Sequence, residues 1–205
     1  HAPVAATGSF KWNNRILPAM VPKERIEKIV EGYDKDKLKI ATVCSHTSLQ
    51  IFDGARKEGF KTVGITVGQH TKFYDAFPRG KPDEFLKVGS YLDLLDMADD
   101  LVAQNIILVP HGSFVEYMTP KKFEELEVPT FGNRRVLEWE SNREMSRQWL
   151  MSAGVEMPDI IEDPKMINRP VLVKYDGAKG GRGFFIAKDY PDFKLGIDSS
   201  QRFTI

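Results

Sequence analysis

The stretch that decides the fold is LKIATVCSHTSLQIFDGARKEGFKTVGIT, residues 38–66. Its first part, Leu38–Val43, is a short run rich in β-branched residues and predicts a buried strand. Apolar residues then recur at helical spacing over Leu49–Ala55, and Gly59 ends that pattern. A second apolar run, Lys61–Thr66, predicts another strand. The order strand, helix, strand indicates a βαβ unit with parallel strands and a right-handed crossover.

The same alternation continues after this unit. We predict an acidic helix over Leu92–Ala103 and a helix start at Thr119, which is followed by Pro120. Three further short apolar runs predict strands: Phe85–Tyr91, Ile106–Val109 and Val128–Phe131. Alternating strands and helices of this kind imply an α/β fold, an open parallel sheet of the Rossmann-like type with helices on both faces.

The character of the sequence changes near residue 135, which divides the chain into three parts. Residues 1–37 form an N-terminal extension with a short amphipathic helix predicted over Pro22–Gly32. The first nineteen residues are as consistent with a cloning remnant as with a genuine extension or a processed leader. Residues 38–134 form the Rossmann-like domain, and residues 135–205 form part of a second domain.

The second domain begins with helices and continues with strands. Two helices are predicted over Arg134–Met151, the second of them started by a capping box of Ser141 and Glu144. Three β runs follow: Val171–Lys174, Phe184–Ala187 and Phe203–Ile205. The first two runs are joined by a glycine-rich loop, which predicts a hairpin and not a crossover.

Composition limits the functional classes. The chain has 29 Lys and Arg residues against 29 Asp and Glu residues, so its formal net charge is zero and no global attraction to nucleic acid is expected. The sequence contains one cysteine, Cys44, which argues against a disulfide framework or a thiolate-rich zinc site. No apolar stretch approaches the roughly 20 residues that span a bilayer. We therefore expect a cytoplasmic protein without a nucleic-acid or membrane partner.

The most informative segment for chemistry is VLVKYDGAKGGRGFFIA, residues 171–187. Its glycines permit positive φ and a close approach to a ligand, while backbone N–H groups, Lys179 and Arg182 can neutralise phosphate oxygens. A phosphate clamp is the functional interpretation, and an ordinary flexible hairpin is the alternative. The segment is not a Walker A loop, because no Gly-Lys-Ser/Thr follows. It is not a Rossmann fingerprint, because it leads into a strand.

This strand and loop resemble the ATP-grasp superfamily, in which a lysine at a strand end precedes a glycine-rich loop that folds over the triphosphate. The resemblance implies that Lys174 binds ATP. It implies the same for residues of the loop: Lys179, Gly180, Gly181, Arg182 and Gly183. Arg147 falls where the superfamily carries a second phosphate-binding basic residue. Asn142 departs from the acidic residue expected at its position.

Four motifs narrow the match, and they occur in one order along the chain. They are Ser45-His46-Thr47-Ser48-Leu49, Gly112-Ser113-Phe114-Val115, VPTFGNRRVL at 128–137, and Trp139-Glu140-Ser141. They resemble the archaeal formate-dependent FAICAR synthetases, ligases of purine biosynthesis that join formate to the amino group of AICAR (5-aminoimidazole-4-carboxamide ribonucleotide) through formyl phosphate. The resemblance implies AICAR, formate and ATP as substrates, and it implies that His46 and Ser113 contact AICAR.

The positions of the polar loops agree with this resemblance. In doubly wound sheets, ligands bind at the carboxyl ends of strands, where Cys44–Ser48, Pro110–Ser113 and Gly132–Arg134 are expected to lie. Four further residues therefore become candidate substrate contacts: Ser45, Thr47, Asn133 and Arg134. For His46, helix capping or packing is the structural alternative.

The resemblance places the adenine-contacting hinge and the Mg²⁺-binding carboxylates beyond residue 205. We therefore expect an N-terminal portion that is inactive alone, uses ATP with Mg²⁺ in the longer enzyme, and carries no metal site itself. Two alternatives stay open: another ATP-grasp carboxylate-amine ligase of purine metabolism, or a non-catalytic nucleotide-binding module. The resemblance also makes a homo-oligomer plausible.

Overall fold

The computed structural model of the chain describes residues 21–45, 47–68, 70–175 and 183–205. In these ranges the α-helices are α1 (Lys23–Glu31), α2 (Ser48–Lys57), α3 (Ala98–Ala103), α4 (Ser113–Met118), α5 (Pro120–Glu124), α6 (Val136–Ser141), α7 (Arg143–Ser152) and α8 (Tyr190–Gly196). The strands are β1 (Lys39–Val43), β2 (Lys61–Val67), β3 (Glu84–Val88), β4 (Ile106–Leu108), β5 (Val171–Tyr175), β6 (Phe184–Ala187) and β7 (Phe203–Thr204). Across the described ranges, every helix is too short or too polar to cross a bilayer.

The first sheet contains β1 to β4 in the order β3-β2-β1-β4, with all neighbouring strands parallel. Ala41 of the central strand β1 lies opposite Val63 of β2 and Leu108 of β4. The predicted βαβ unit and the open parallel sheet are therefore confirmed. Because β1 and β4 are neighbours, the loops that follow them meet at one edge of the sheet.

The central strand is buried on both faces. Ala41 and Val43 belong to the main hydrophobic core, where both have no exposed surface. Thr42 points to the opposite face, is equally buried, and satisfies its hydroxyl by donating to the Val109 carbonyl oxygen at 2.7 Å. Burial of both faces explains why this strand is almost continuously apolar in sequence.

Two predicted elements of this sheet differ in the structure. The strand predicted over Phe85–Tyr91 is instead Glu84–Val88, because Ser90 and Asp93 form a capping box that starts a 3₁₀ turn at Tyr91. This turn also divides the predicted helix over residues 92–103, of which only α3 is α-helical. The strand predicted over Val128–Phe131 is reduced to a single parallel bridge between Leu108 and Thr130.

The second sheet contains β5, β6 and β7 in the order β6-β5-β7, with both pairs antiparallel. The predicted hairpin and the terminal strand are therefore present. A separate hydrophobic cluster supports this sheet, with Val173 and Ala187 fully buried at its centre. Each sheet thus has its own core.

The break between α6 and α7 is made by a different residue from the one predicted. The Asn142 side chain caps α7 by accepting a hydrogen bond from the Met145 N–H at 3.0 Å. Ser141 belongs to the end of α6, where its hydroxyl donates to the Glu138 carbonyl oxygen at 2.9 Å. The predicted capping box of Ser141 and Glu144 is therefore wrong. Asn is as good an N-cap as Ser, so the sequence alone did not separate the two positions.

Candidate functional site

The loops after β1 and β4 meet through their serines. The Ser113 hydroxyl, at the start of α4, donates a hydrogen bond to the Ser45 hydroxyl at 3.1 Å. The two motifs lie far apart in sequence and are joined because β1 and β4 pair directly. We call the space beside these two serines the carboxyl-edge crevice.

The loop that leads into α2 is held by Ser48, which is fully buried. Its hydroxyl donates to the Ser45 carbonyl oxygen at 2.6 Å and accepts from the Ser45 N–H at 3.2 Å. The Tyr74 hydroxyl lies 2.7 Å from the same oxygen, and burial raises the pKa of Tyr74, so it stays protonated and able to donate. Thr47 adds a hydrogen bond from its N–H to the Ser45 hydroxyl at 3.4 Å. This network fixes the predicted contact Ser45 in place.

The loop after β4 is held by His111. Its Nε2 lies 3.1 Å from the Val43 carbonyl oxygen, and its Nδ1 accepts from the Ser113 N–H at 3.3 Å. These two partners assign the Nε2–H tautomer, because a carbonyl oxygen needs a donor and an N–H needs an acceptor. His111 therefore ties the end of β1 to the residue that faces Ser45.

The predicted contact Arg134 has a different role in the structure. Its guanidinium donates to the carbonyl oxygen of Leu126 at 2.6 Å, to that of Val128, and to that of Phe123 at 3.3 Å. These contacts hold the main chain of the turn after α5, which gives Arg134 a structural role, and its contact with a substrate stays a prediction. Asn133 accepts a hydrogen bond from the Arg135 N–H at 3.0 Å, and its side chain is exposed.

Several predicted site residues lie outside the described part of the chain. These are His46 in the loop before α2 and most of the glycine-rich loop, namely Lys179, Gly180, Gly181 and Arg182. Gly183 is described and is buried at the start of β6. The roles of these residues stay predictions.

A cleft in the second part of the chain brings Arg147 and Lys174 together. Both line a cavity of about 470 Å³, which Arg143 and the apolar side chains Leu150 and Ile161 also line. A cavity of about 750 Å³ adjoins it and shares Arg143 and Arg147. We call the two together the basic cleft. Carboxylates also line these cavities: Glu140 and Asp159 in the smaller, Glu144 and Glu162 in the larger. The cations and apolar groups of the lining suit a ligand with both phosphate and aromatic parts.

The basic cleft is built on α7 and β5. Arg147 follows Arg143 by four residues, so both lie on one face of the helix. The Arg143 Nε donates to the Tyr175 carbonyl oxygen at 3.0 Å, which fixes α7 against the strand that carries Lys174. This tertiary contact explains how two basic residues in separate segments come to line one cavity.

Glu140 lies where the crevice and the cleft adjoin. It lines the basic cleft, and its Oε1 is 3.0 Å from the position that a Cβ on Gly112 would occupy. Sequence reasoning assigned no role to Glu140, and it did not single out Tyr74. Their only sequence signal was indirect: Glu140 belongs to the Trp-Glu-Ser motif, while Tyr74 lies in a segment without recognisable periodicity.

The described residues include neither a reactive cysteine nor a cluster of metal-ligating side chains. Burial raises the pKa of the Cys44 thiol to about 11, so it is protonated and a poor nucleophile at neutral pH. In residues 21–45, 47–68, 70–175 and 183–205, there is no group of three or more His, Cys, Asp or Glu side chains that could hold a metal ion.

Comparison with known proteins identifies related sequences and folds. Residues 40–161 match the family described as Protein of unknown function (DUF1246). The chain is 60% identical over 186 residues to 5-formaminoimidazole-4-carboxamide-1-(beta)-D-ribofuranosyl 5'-monophosphate synthetase of Methanococcoides burtonii, covering 91% of this chain and 52% of that protein. A protein of the same name from Korarchaeum cryptofilum is 48% identical over 177 residues, covering 85% and 48%. The chain spans about half the length of the curated relatives it matches.

Solved structures support the same relationship. An IMP biosynthesis protein PurP from Thermococcus kodakaraensis matches with a TM-score of 0.58 and 28% identity, covering 80% of this chain and 49% of that chain. N5-carboxyaminoimidazole ribonucleotide synthetase from Thermotoga maritima matches with a TM-score of 0.57 and 16% identity, covering 82% and 45%, which bears on the fold alone. These matches confirm the predicted fold class, a parallel sheet followed by part of an ATP-grasp domain.

Proposed function

Because the chain belongs to the family described as Protein of unknown function (DUF1246), and because its relatives bear the synthetase name given above, we propose that it is part of a formate- and ATP-dependent FAICAR synthetase. The proposed reaction joins formate to the amino group of AICAR in purine biosynthesis. The part described here would bind AICAR in the carboxyl-edge crevice and the triphosphate of ATP in the basic cleft.

The observation that carries this proposal is the hydrogen bond between Ser113 and Ser45 at 3.1 Å. Two motifs that separately resemble the FAICAR synthetases thereby share one crevice at the carboxyl ends of β1 and β4, where open α/β sheets bind ligands. Thr47 and His46 of the same loop would complete the AICAR contacts, and Asn133 stays a candidate at the rim. Hydroxyl groups and backbone N–H groups suit the phosphate and ribose oxygens of a ribonucleotide.

The chemistry requires two transfers. The terminal phosphoryl group of ATP passes to a formate oxygen, which gives formyl phosphate and ADP. The AICAR amino nitrogen then attacks the formyl carbon, so that a C–N bond forms, the C–O bond to phosphate breaks, and phosphate leaves with the electron pair while the amine loses a proton. Arg147 and Lys174 would neutralise phosphate oxygens, and each charged hydrogen bond is worth about 1.5–3 kcal/mol.

Two further features belong to the proposal. Lys179, Arg182 and the loop glycines Gly180, Gly181 and Gly183 would close over the triphosphate, and Mg²⁺ would accompany ATP in the longer enzyme. No Mg²⁺ ligand is assigned to the described residues. As an enzyme of nucleotide synthesis the protein would act in the cytoplasm, and we retain a homo-oligomer as part of the hypothesis.

The experiment compares two ligands on two variants of the chain by isothermal titration calorimetry. Ser113→Ala is expected to weaken AICAR binding by about two- to tenfold, the value of one neutral hydrogen bond, and to leave MgATP binding unchanged. Lys174→Ala is expected to weaken MgATP binding by about tenfold or more and to leave AICAR binding unchanged. Ser152→Ala and Lys188→Ala, at exposed positions that line neither cavity of the basic cleft, are the matched controls.

Two results would count against the proposal. Equal loss of both ligands in one folded variant would contradict the division into two sites. A folded wild-type chain that binds MgATP without AICAR would favour the other hypothesis, a different ATP-grasp carboxylate-amine ligase.

A further inference from the structure

Two tyrosine rings, that of Tyr91 after β3 and that of Tyr117 on α4, are stacked on each other. The rings of Tyr91 and Tyr117 have centroids 4.6 Å apart and an angle of 8° between their planes. Tyr91 is partly buried, whereas 40% of Tyr117 is exposed. One side of the pair therefore rests against protein and the other side offers aromatic surface to solvent.

Tyr91, whose ring is the inner one of the pair, lies in a rigidly held segment. Tyr91 begins a 3₁₀ turn that is capped by Ser90, whose hydroxyl accepts from the Leu92 N–H at 3.2 Å. Asp93 accepts from the N–H groups of Gly89 and Ser90 at 2.9 and 3.0 Å. Tyr91 also packs against the main hydrophobic core, as does Val67 at the carboxyl end of β2. The stack therefore has a fixed base at the same edge of the sheet as the crevice.

Tyr117, whose ring is the outer one of the pair, follows the crevice residue Ser113 by about one helical turn. Tyr117 follows Ser113 by four positions on α4, so the two side chains share a face of the helix. Helical side chains lean toward the N-terminus, which is the end of α4 that carries Ser113. Tyr117 thus lies one helical turn from Ser113, whose hydroxyl is a proposed AICAR contact.

We propose that Tyr117, backed by Tyr91, is a specificity-determining residue that stacks on the planar imidazole carboxamide of the nucleotide bound in the carboxyl-edge crevice. This inference rests on the proposed function and deepens it. The serines contact oxygens that every ribose phosphate carries, so they do not distinguish bases. An aromatic ring recognises the flat heterocycle, and a second ring behind it keeps the first from turning away.

The test is calorimetric titration of the full chain with AICAR and, separately, with ribose 5-phosphate, which lacks the base. Tyr117→Ala is expected to weaken AICAR binding by about tenfold or more, the scale of one lost base stack, with ribose 5-phosphate affinity unchanged. Tyr117→Phe keeps the ring and is expected to bind AICAR like the wild type. Tyr190→Ala removes a similarly stacked ring from α8, on the other sheet, and is the matched control.

The outcomes separate this proposal from the one on which it rests. Wild-type AICAR affinity in a folded Tyr117→Ala variant would overturn the stacking role alone, as would equal loss of AICAR and ribose 5-phosphate. Failure of the folded wild-type chain to bind AICAR would overturn the proposed function and the stacking role together.

Discussion

The charge of Arg134 suggests one role for this residue, and its hydrogen bonds in the structure show another. A guanidinium in a loop near the carboxyl-edge crevice suggests phosphate binding, yet this one donates to the carbonyl oxygens of Leu126 at 2.6 Å and of Phe123 at 3.3 Å. Its ring neighbour Phe123 lies with its centroid 5.7 Å from the guanidinium carbon. The planar, five-donor group therefore organises the turn between α5 and α6.

Replacing Arg134 tests this structural role. Arg134→Met is expected to lower the free energy of unfolding by about 2–4 kcal/mol, because several carbonyl oxygens lose a charged donor at once. Arg134→Lys is expected to recover only part of the lost stability, since one ammonium group cannot reproduce the planar, forked set of N–H donors of a guanidinium. Urea denaturation measures both. A folded Arg134→Lys protein with unchanged stability and impaired AICAR binding would contradict the structural role and favour the predicted ligand contact.

Glu124 gives a pH-dependent prediction. It is buried, and burial together with the nearby charge of Glu138 raises its pKa above the ordinary value of 4.5, against the opposing effect of Arg135 and Arg134. The folded state thus binds the proton more tightly than the unfolded chain, so this group favours folding at low pH and disfavours it increasingly as pH rises through the raised pKa.

Glu124→Gln removes that ionisation. The Tm of the variant relative to wild type is expected to be higher at about pH 7 than at about pH 4, where the wild-type carboxyl is also neutral. Thermal unfolding followed by circular dichroism across this range measures the difference. A Tm difference that does not change with pH would contradict the raised pKa.

At the scale of elements, the helices and strands that follow from apolar periodicity were predicted from the sequence. The βαβ unit over residues 38–66 was recognisable because apolar spacing changes from two-residue to helical and back. The predicted ends of the elements were less accurate, because local side-chain hydrogen bonds determine where an element stops. Ser90 and Asp93 shorten β3, and Asn142 starts α7. For the site, loop order predicted the meeting of Ser45 and Ser113, but side-chain direction at Arg134 depends on tertiary contacts that no local pattern encodes.

Two glycines in the βαβ unit give a paired prediction. A Cβ on Gly64 of β2 would lie 2.8 Å from Pro82 Cγ and 2.9 Å from Cys44 Sγ, so Gly64→Ala is expected to cost about 1–3 kcal/mol through overpacking. A Cβ on Gly54 of α2 meets nothing within 4 Å, so Gly54→Ala is expected to stabilise by about 0.5–1 kcal/mol. Chemical denaturation measures the free energy of unfolding of both variants. Equal changes in the two variants would contradict the close packing around Gly64 of β2.

At the scale of the whole molecule, two separately cored sheets bring a crevice and a cleft side by side. The crevice belongs to the parallel sheet and the basic cleft to α7 and the antiparallel sheet. Glu140 touches both, through Gly112 and through the cleft lining. Under the proposed function, an amine held by one part would attack an acyl phosphate formed in the other.

The most direct test of this account is an amide NMR titration of the chain with AICAR. Binding in the carboxyl-edge crevice predicts saturable shifts in the Ser45–Ser48 and Gly112–Phe114 amides, with those of α7 and β5 unchanged. Absence of shifts at saturating AICAR, or shifts confined to the cleft around Arg147 and Lys174, would contradict it.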